Sequence, residues 1–393
     1  MTIALIITFW TASFAVLYPY VVYPFLLRVL ARYWPAPRVQ RQLVAAELPS
    51  VTLIISAYNE RAVIAKKIYN ALSLKYVPDR LEIIVVSDAS SDGTDEVVAE
   101  LSSTERRVRL VRQHERRGKS AGLNRAVEVA KGAIVVFSDA NALYETDAIQ
   151  VLVREFSDPQ VGYVVGAAHY SDSNGNRAAE SEGLYWRFEL LLKQLESDFH
   201  SVVGGDGAIY AIRRHLFRDL KDDDISDFVN PLQIVAAGYR GLFNSGARCY
   251  EEAGETFQKE FQRKRRIVNR SWRAVARYGG LLKRSEHGRF IFMLLSHKVI
   301  RWLALPFVGL AWAANTALLG VGTLYIFSWF IITASLALAA IGALLEQAGK
   351  RLPWVISILY YFYFVNLAGL LGIWDELRGL RHATWDHIRR SDS

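Results

Sequence analysis

The first charged side chain of this 393-residue chain is Arg28, and two more uncharged stretches lie near the other end. Residues 2–27, 303–345 and 352–374 contain no Asp, Glu, Lys or Arg. A helix of about 20 apolar residues can cross a hydrocarbon core of about 30 Å. We therefore predict a transmembrane helix within residues 1–31 and about three more within residues 302–375.

Charge around these stretches indicates their orientation. No basic residue precedes the first stretch, and it is too long for the apolar part of a cleaved leader, so an anchor is favoured. Arg28, Arg32, Arg38 and Arg41 follow it, which predicts a multi-pass protein of the cell inner (plasma) membrane with a cytoplasmic catalytic domain. With four crossings, the basic tail at residues 376–393 would lie outside the cell, although basic residues are expected on the cytoplasmic side. One segment is therefore expected to be re-entrant or interfacial.

Between residues 50 and 250, short β-branched runs alternate with helical patterns. This alternation predicts an α/β domain with a mostly parallel sheet covered on both faces. Ligands of such domains bind beyond the carboxyl ends of the strands. The predicted strands are residues 51–56, 81–87, 108–111, 134–138 and 163–167, and the predicted helices are residues 61–74, 95–101, 120–131 and 147–156.

The fourth predicted strand ends on a carboxylate, Asp139, and Asn141 follows two residues later. An unpaired carboxylate at the end of a buried strand is unfavourable, so a cation is a natural partner. Both side chains offer the hard oxygen atoms that Mg2+ or Mn2+ prefers. A helix cap is the alternative interpretation of Asp139.

Polar motifs also follow the other predicted strands. The sequence AYNE occupies residues 57–60, and SDASSDGT occupies residues 87–94. Asp88 could accept hydrogen bonds from a base or ribose, although a turn and a helix cap explain the end of the same motif. Gly118 and Lys119 precede a predicted helix, as in a phosphate cradle, but their spacing is not that of a P-loop.

In this order the motifs resemble those of family 2 inverting glycosyltransferases, in particular membrane polysaccharide synthases of the hyaluronan, chitin and cellulose synthase type. The resemblance covers roughly residues 50–300. It implies a GT-A-like nucleotide-sugar-binding domain and a nucleotide diphosphate sugar donor, usually UDP-linked, held with Mg2+ or Mn2+. Asn141 stands where relatives often carry a second Asp. The implied donor-binding residues in this half are Ala57, Tyr58, Glu60, Asp88, Lys119 and Asp139, and the implied metal ligands are Asp139 and Asn141.

Two motifs in the second half of the domain point to the acceptor. Gly204, Gly205 and Asp206 precede a predicted strand, and glycines there let the backbone approach a bulky ligand; a plain turn is the alternative. The resemblance assigns them to the acceptor sugar. Asp227 begins an amphipathic helix and matches the catalytic Asp of the family, so we expect it to deprotonate the acceptor hydroxyl, with a helix cap as the alternative. The acids at residues 222–224 are expected to be solvated.

Residues 259–289 hold eleven Lys and Arg and two acids. Apolar residues recur there at helical spacing, which predicts amphipathic interface helices over residues 255–300 with the apolar stripe toward lipid and the arginines toward headgroups. Nucleic acid is not expected as a partner, because the membrane already explains the charge. Within this stretch QRKRR at residues 262–266 resembles the family's Gln-x-x-Arg-Trp motif. The resemblance implies donor contacts for Gln262, Arg265 and Arg266, the last in place of the stacking Trp.

The sequence therefore predicts a membrane glycosyltransferase that transfers a sugar, with inversion, to a glycan or lipid-linked acceptor in polysaccharide or glycolipid synthesis. Membrane lipid and proteins of an export assembly are further candidate partners. The alternatives are a processive polysaccharide synthase, a membrane nucleotidyltransferase and an inactive nucleotide-binding scaffold. The only cysteine is Cys249, which excludes disulfides within the chain and cysteine zinc clusters.

Overall fold

A computed structural model describes residues 1–37, 48–171, 177–252, 257–282 and 287–380. An eight-stranded sheet forms the centre of the chain, and apolar helices lie at both ends. Arg38, Arg41 and the tail from residue 381 onward, to which the sequence assigns an orientation, lie outside the described residues.

The strand order in the sheet is β3-β2-β1-β4-β7-β6-β8-β5. Four of the seven pairings are parallel and three are antiparallel, so the sheet is mixed. All five strands predicted from alternation are present, the strand predicted after Gly204, Gly205 and Asp206 is β7, and two further strands, β5 and β8, were missed. The strands are β1 Val51–Ala57, β2 Leu81–Ser87, β3 Val108–Arg112, β4 Ile134–Asp139, β5 Leu143–Tyr144, β6 Val161–Ser171, β7 Tyr210–Arg213 and β8 Arg240–Glu252.

Helices cover both faces of the sheet, because alternate strand residues point to opposite sides. In β1, Leu53 and Ile55 join one hydrophobic core and Ile54 joins the other. The helices of the domain are α3 Arg61–Leu72, α4 Thr94–Thr104, α5 Lys119–Val129, α6 Ala148–Arg154, α7 Arg177–Phe199 and α8 Ser226–Ala236.

The strand pairing brings distant motifs to one edge of the sheet. Ser56, near the end of β1, lies opposite Asp139 at the end of β4. Because β7 runs antiparallel to β4, with Tyr210 opposite Phe137, the loop before β7 reaches the same edge. The motifs after β1 and β4 are therefore neighbours of the loop before β7, which contains Gly204, Gly205 and Asp206 and is called the glycine-rich loop below.

Apolar helices flank this domain at both ends of the chain. Three helical segments are long and apolar enough to cross a membrane, and a bent pair of helices, with a 62° bend, makes a fourth candidate among the described residues. A break around Gly320 separates two of these helices. The terminal helices are α1 Thr2–Leu17, α2 Tyr23–Tyr33, α9 Phe257–Tyr278, α10 Gly288–Leu294, α11 Ile300–Trp302, α12 Ala304–Ala317, α13 Thr323–Gln347 and α14 Trp354–Leu377.

The N-terminal segment, α1 and α2 joined by a π-helical turn, belongs to two hydrophobic clusters. Near its start, Phe9 and Ala12 pack against α12. Near its end, Tyr23 and Leu27 are fully buried in the core of the catalytic domain. The Tyr23 hydroxyl donates a hydrogen bond to Glu196 Oε1 of α7 at 2.9 Å. The N-terminal segment thus packs into the core of the sheet domain.

Helix α9 is amphipathic as predicted, but its apolar stripe is covered by protein. The ring of Phe257 contacts the rings of Tyr360 and Phe364 on α14 at 5.3 and 5.5 Å. Val268 is buried and faces Gly369 of the same helix. The predicted lipid-facing stripe is therefore wrong for these residues, because α14 supplies the apolar partner.

The basic face of α9 also has protein partners. Arg277 binds Asp223 Oδ1 at 2.8 Å and Asp224 Oδ1 at 2.6 Å, and Arg273 lies 3.2 Å from Asp223 Oδ2. Asp223 and Asp224 are buried, so their predicted solvation is wrong, whereas Asp222 is exposed. These arginines attach α9 to the loop before α8.

Candidate active site

A cavity of about 730 Å³ opens at the edge of the sheet where the motifs meet. One wall is formed by strand ends, the first turns of α5 and α8 and the glycine-rich loop, and another wall by α9. The strand wall is rich in carboxylates and the α9 wall is rich in cations. On the strand wall lie Ser56, Glu60, Lys119, Asp139, Asn141, Asp206, Asp227 and Glu251; on the α9 wall lie Lys259, Arg263, Lys264, Arg266 and Arg270.

Lys119 and Asp139 form an ion pair in this cavity. Lys119 is the first residue of α5, after Gly118 with φ +90°, and its Nζ lies 2.5 Å from Asp139 Oδ1. Burial lowers the pKa of the Lys119 ammonium, but the Asp139 carboxylate raises it, and the net pKa lies above its ordinary value. Lys119 therefore remains charged beside the expected metal ligand.

Gly207 is the point at which three functional side chains converge. A Cβ placed on Gly207 would lie 3.4 Å from Asp139 Oδ2, 3.4 Å from Lys119 Nζ and 3.8 Å from Asp227 Oδ2. The distance between Asp139 Oδ2 and Asp227 Oδ2 therefore cannot exceed the sum of their distances from this Cβ position. A side chain at residue 207 would fill the space between them, which gives this glycine a physical role that the sequence did not reveal.

Asp227 lies in the first turn of α8, as predicted, and faces the cavity. Burial raises the pKa of its carboxyl group; Lys119 opposes this, whereas Asp206 and Asp139 raise the pKa further. A carboxylate with a raised pKa accepts a proton more readily than an exposed one. Asp227 is thus suited to act as a general base.

The glycine-rich loop lies directly against Asp227. The Gly205 N–H donates to the Asp227 carbonyl oxygen, and a Cβ on Gly205 would come within 2.9 Å of that oxygen. Gly204 has φ +96°, a conformation that favours glycine. Asp206 is buried and its Oδ2 lies 3.0 Å from Lys193 Nζ. The predicted acceptor residues therefore line the cavity beside the predicted base.

The glycine-rich loop is also connected by hydrogen bonds to the N-terminal segment. Glu196, whose Oε1 accepts from Tyr23, accepts a hydrogen bond at Oε2 from the Val203 N–H at 2.9 Å. Val203 directly precedes Gly204. One buried carboxylate therefore connects the anchor helix to the start of the glycine-rich loop.

Glu251, near the end of β8, is a cavity carboxylate that the sequence reasoning missed. It is 8% exposed, and burial, with Asp139 and Asp206 next in importance, raises the pKa of Glu251 to about 8. Its strand pairs in parallel with β6, far along the chain from the motifs, so only the fold brings it to the site. Lys193 on α7 also lines the cavity, and it was missed because it lies in a helix without a motif.

The residues present fit a divalent metal. Asp139 and Asn141 both line the cavity, and the carboxylates of Asp206, Asp227 and Glu251 concentrate negative charge near them. Among the described residues, no three His, Cys, Asp or Glu side chains form a metal site by themselves. That is expected for an ion that takes one or two protein ligands and completes its shell with substrate phosphates and water.

Three of the donor residues predicted in the first half of the domain lie outside the cavity lining. Ala57 is buried in the sheet, and the ring of Tyr58 lies 4.0 Å from the Arg116 guanidinium. Asp88 is buried and accepts hydrogen bonds from the Arg117 N–H at 2.9 Å and the Gly118 N–H at 3.0 Å. Asp88 therefore orders the loop that leads into α5. Of the AYNE motif, Glu60 alone lines the cavity.

Of the QRKRR motif, the side chains that line the cavity are Arg263, Lys264 and Arg266. Arg266 lines the cavity, together with Arg263 and Arg270 at helical spacing. Arg265, about 100° away from Arg266 around the helix, binds Asp375 with Nε–Oδ2 at 2.5 Å and Nη2–Oδ1 at 2.7 Å. Gln262 is exposed and does not line the cavity. Arg265 thus faces α14 and Gln262 faces solvent, and the donor contact expected of each stays a prediction.

Part of the sheet domain matches a known protein family. The Glycosyl transferase family 2 model matches residues 52–221. The match supports the resemblance to family 2 glycosyltransferases that the motifs carry, and that resemblance is confirmed.

The whole fold has a solved counterpart. The mannosyltransferase PcManGT from Pyrobaculum calidifontis, solved in complex with GDP-Man and Mn2+, superposes with a TM-score of 0.72, covering 95% of this chain and 99% of that chain at 22% identity. At this identity the similarity shows the fold alone. The predicted GT-A-like α/β fold with apolar helices at both ends is confirmed.

Curated relatives match over part of their length. The probable glycosyltransferase YdaM of Bacillus subtilis is 27% identical over 63% of this chain and 61% of its own length. The β-monoglucosyldiacylglycerol synthase of Trichormus variabilis is 31% identical over 35% of this chain and 30% of its own. The poly-β-1,6-N-acetyl-D-glucosamine synthase of Staphylococcus aureus is 33% identical over 30% of this chain and 29% of its own. The chain thus spans less than two thirds of each of these relatives.

Proposed function

We propose that the chain is a membrane glycosyltransferase that moves a sugar from a nucleotide diphosphate, with UDP as the first candidate, to an acceptor hydroxyl with inversion. The observation that carries the proposal is the convergence of Asp139, Lys119 and Asp227 around Gly207 in a chain that matches the family 2 model. The GDP-Man ligand of PcManGT makes GDP the second candidate nucleotide.

Asp227 acts as the base in this proposal. The acceptor hydroxyl attacks the anomeric carbon from the side opposite the diphosphate, and its proton passes to the Asp227 carboxylate. The bond between the anomeric carbon and the diphosphate oxygen breaks, and a nucleoside diphosphate leaves. Because attack and departure occur on opposite faces, the anomeric configuration inverts. The raised pKa of Asp227 favours the proton transfer.

Cations on both walls stabilise the departing diphosphate. Lys119 lies on the strand wall, and Arg263 and Arg266 lie on the α9 wall. Fixed positive charges aimed at a leaving group lower the barrier because negative charge develops there. Asp139 and Asn141 would hold Mg2+ or Mn2+, which when bound would neutralise part of the same charge. PcManGT was solved with Mn2+, which supports a metal of this kind.

Membrane attachment is part of the proposal. The apolar helices and the glycolipid and polysaccharide synthases among the relatives support a multi-pass protein of the inner membrane. Arg28 and Arg32 after the first span support a cytoplasmic catalytic domain. A glycan or a lipid-linked molecule is the acceptor, and proteins of an export assembly are candidate partners.

The product released by the purified protein tests the proposal. The protein is incubated with a panel of nucleotide sugars and Mg2+ or Mn2+, with a lipid extract as acceptor, and the released nucleotide is identified by chromatography. We expect a nucleoside diphosphate. Release of pyrophosphate would identify a nucleotidyltransferase, and the absence of turnover with every donor would identify a binding scaffold.

Product size separates single addition from processive synthesis. Arg266 occupies the place of the stacking Trp of the family motif, which removes a platform for the end of a growing chain. We therefore propose addition of one or a few sugars. Radiolabelled donor and gel sizing of the product test this proposal, and high-molecular-mass polymer made by the purified protein alone would contradict it.

A further inference from the structure

The segment after β4, which carries the expected metal ligands, is held in place by two side chains of α3. It runs through an irregular turn into β5, the last strand of the sheet. Asn70 Nδ2 donates to the Tyr144 carbonyl oxygen at 2.9 Å, and Asn70 Oδ1 accepts from the Tyr144 N–H at 2.8 Å. The buried Lys67 ammonium, one turn earlier in α3, donates to the Ala142 carbonyl oxygen. Helix α3 thus binds the backbone of this segment at two points.

The irregular segment that leads into α8 is held in the same manner by α5. Asn124 Nδ2 donates to the Leu220 carbonyl oxygen at 2.8 Å, and Asn124 Oδ1 accepts from the Leu220 N–H at 3.0 Å. One turn earlier in α5, the Ser120 hydroxyl donates to the Asp224 carbonyl oxygen at 2.7 Å. Asp227 follows three residues later, in the first turn of α8. Helix α5 therefore binds the backbone of the segment that ends at the proposed base.

In both places one asparagine pairs with both backbone groups of a single residue. A side-chain amide carries a donor and an acceptor next to each other, so it can bind the N–H and the C=O of one residue as a neighbouring strand would. Backbone groups at a sheet edge or in an irregular segment need such partners. Each asparagine therefore fixes the position of its segment relative to a helix of the domain.

Neither asparagine lines the cavity, and both are half-buried. The segments that they hold do reach the cavity. Asp139 and Asn141 lie just before the residues bound by α3, and Asp227 lies just after the residues bound by α5. Helix α5 also begins with Lys119, the partner of Asp139. The same helix therefore carries the cation and holds the segment of the base.

We propose that Asn70 and Asn124 are positioning residues with separate tasks in sugar transfer. Asn70 holds Asp139 and Asn141 in the arrangement that binds the divalent metal, and Asn124 holds Asp227 where it meets the acceptor hydroxyl. A displacement of about 1 Å at a reacting group can lower a rate about 100-fold, so residues outside the cavity can control these steps. The inference rests on the proposed function and deepens it.

Binding of Mn2+ tests the first task without any turnover. Asn70→Ala removes both hydrogen bonds to Tyr144. Its affinity for Mn2+ without nucleotide, measured by electron paramagnetic resonance, should fall about tenfold, the loss typical when a residue that orients a metal ligand is removed. Asn124→Ala acts on a different segment and should bind Mn2+ within about twofold of the wild type.

Steady-state kinetics test the second task. The donor and lipid extract are those that give turnover in the wild type. Asn124→Ala should lower kcat about tenfold or more and leave the KM of the donor within about twofold of the wild-type value. Asn70→Ala should instead need more Mn2+ for half-maximal turnover and regain nearly the wild-type kcat when Mn2+ saturates. A merely structural role would change the same parameters in both variants.

Asn244→Ala is the matched control. Asn244 also makes two hydrogen bonds, because its Nδ2 donates to Glu155 Oε1 at 2.7 Å and its Oδ1 accepts from the Gly246 N–H at 3.0 Å. It does not line the cavity, and its variant should leave Mn2+ affinity and kcat unchanged. If an alanine variant fails to fold, Asn70→Asp and Asn124→Asp, which keep an acceptor oxygen but lose the amide donor, test the same separation.

The outcomes distinguish this inference from the proposed function. Weaker Mn2+ binding in both variants, or a low kcat at saturating Mn2+ in both, would overturn the assignment of separate tasks. Wild-type values of every parameter in either variant would overturn it as well. A wild type that binds neither UDP nor GDP with Mn2+ and turns over no donor would contradict the proposed function, on which the two tasks depend.

Discussion

The Lys119 ammonium lies 2.5 Å from the Asp139 carboxylate, so the residue expected to bind the metal is held by a cation of the chain itself. A divalent ion and Lys119 would compete for the same oxygen. Release of Lys119 from Asp139 would leave its charge near the donor diphosphate. The pair therefore links metal binding to the position of the lysine.

This competition predicts an unusual effect of Lys119→Ala. In the absence of nucleotide, the variant should bind Mn2+ several-fold more tightly than the wild type, because Asp139 is no longer paired. Its affinity for nucleoside diphosphate in saturating Mn2+ should fall. Titration of free Mn2+ by electron paramagnetic resonance measures the first quantity and calorimetry the second. Lys75→Ala, at an exposed lysine, is the control, and an unchanged Mn2+ affinity in Lys119→Ala would exclude the competition.

Asp139→Asn tests the metal assignment. The amide preserves the shape of the side chain but removes the charge that would anchor the ion. Mn2+ should strengthen nucleoside diphosphate binding in the wild type and have little effect in the variant. Calorimetry with and without Mn2+ measures the difference. A full Mn2+ effect in Asp139→Asn would place the metal elsewhere.

Asp227→Asn tests the base. The variant should bind donor nearly as well as the wild type but turn over at least about 100-fold more slowly, the range expected when a general base is removed. Steady-state release of nucleoside diphosphate measures turnover. Asp219→Asn, at an exposed acid eight residues earlier in the chain, should retain full activity. Near-normal turnover in Asp227→Asn would reject Asp227 as the base.

Glu251 makes stability depend on pH. The pKa of Glu251 is raised from 4.5 to about 8 in the folded state, so the folded chain holds a proton that the unfolded chain has lost. This contribution is complete below the unfolded pKa and is lost as pH rises toward about 8, at a rate of at most about 1.4 kcal/mol per pH unit. In EDTA, the thermal midpoint should therefore fall between about pH 5 and pH 7.

The variant Glu251→Gln isolates this effect, because it cannot ionise. Its midpoint should change less between the two pH values than that of the wild type. The range stops near pH 7 because the pKa of buried Lys67 is lowered to about 7, and above that pH its deprotonation changes stability in the opposite direction. Glu100→Gln, at an exposed acid, is the control. Equal slopes for Glu251→Gln and the wild type would contradict the assignment.

The contacts of α14 predict a membrane topology. Asp375 and Glu376, near its end, bind Arg265 and Arg273 of α9, and Arg273 also contacts Asp223 of the catalytic domain. The end of α14 is thus on the catalytic side. Leu318, before the turn between α12 and α13, packs against the first turns of α1 instead. That turn should be on the opposite side of the membrane, so only one of α13 and α14 crosses the membrane and the other is the re-entrant or interfacial segment.

Single-cysteine labelling tests this topology. A membrane-impermeant maleimide should label Val321→Cys from outside right-side-out vesicles and label Leu380→Cys only after permeabilisation; both residues are exposed. The wild type is the control, because buried Cys249 should not react. Labelling of Leu380→Cys from outside would contradict the arrangement. The expected result would place residue 380 in the cytoplasm, where the basic tail satisfies the charge rule.

Local patterns were sufficient to predict the strands that carry the first motifs. Alternation and strand-end polarity identified β1, β2 and β4, and parallel pairing then brings Ser56 beside Asp139. Lys119 and Asp227 could be placed because each begins a helix with a readable pattern. Lys119, Asp139 and Asp227 could be expected to lie close together because ligand-binding residues of an open α/β sheet collect at the carboxyl ends of its strands.

Features that depend on remote segments could not be predicted in this way. Arg265 carries the family motif, yet its partner Asp375 is 110 residues away, and local sequence does not indicate which face of α9 that segment covers. Glu251 and Arg301 lie in stretches with no motif, and the cavity alone relates them to the site. Helical and strand periodicity indicate which face is apolar but not what covers it.

We expect the Glu196 carboxylate, which accepts hydrogen bonds from Tyr23 and Val203, to couple the catalytic domain to the bilayer. A spanning helix adjusts its tilt when its apolar length and the local membrane thickness differ. We expect such an adjustment to displace Tyr23 and, through Glu196, to shift the backbone just before Gly204. Reconstitution in lipids of increasing chain length should therefore alter the rate of sugar transfer more than the affinity for the donor. We therefore expect the thickness of the host membrane to act on the loop that contains Gly204 and Gly205.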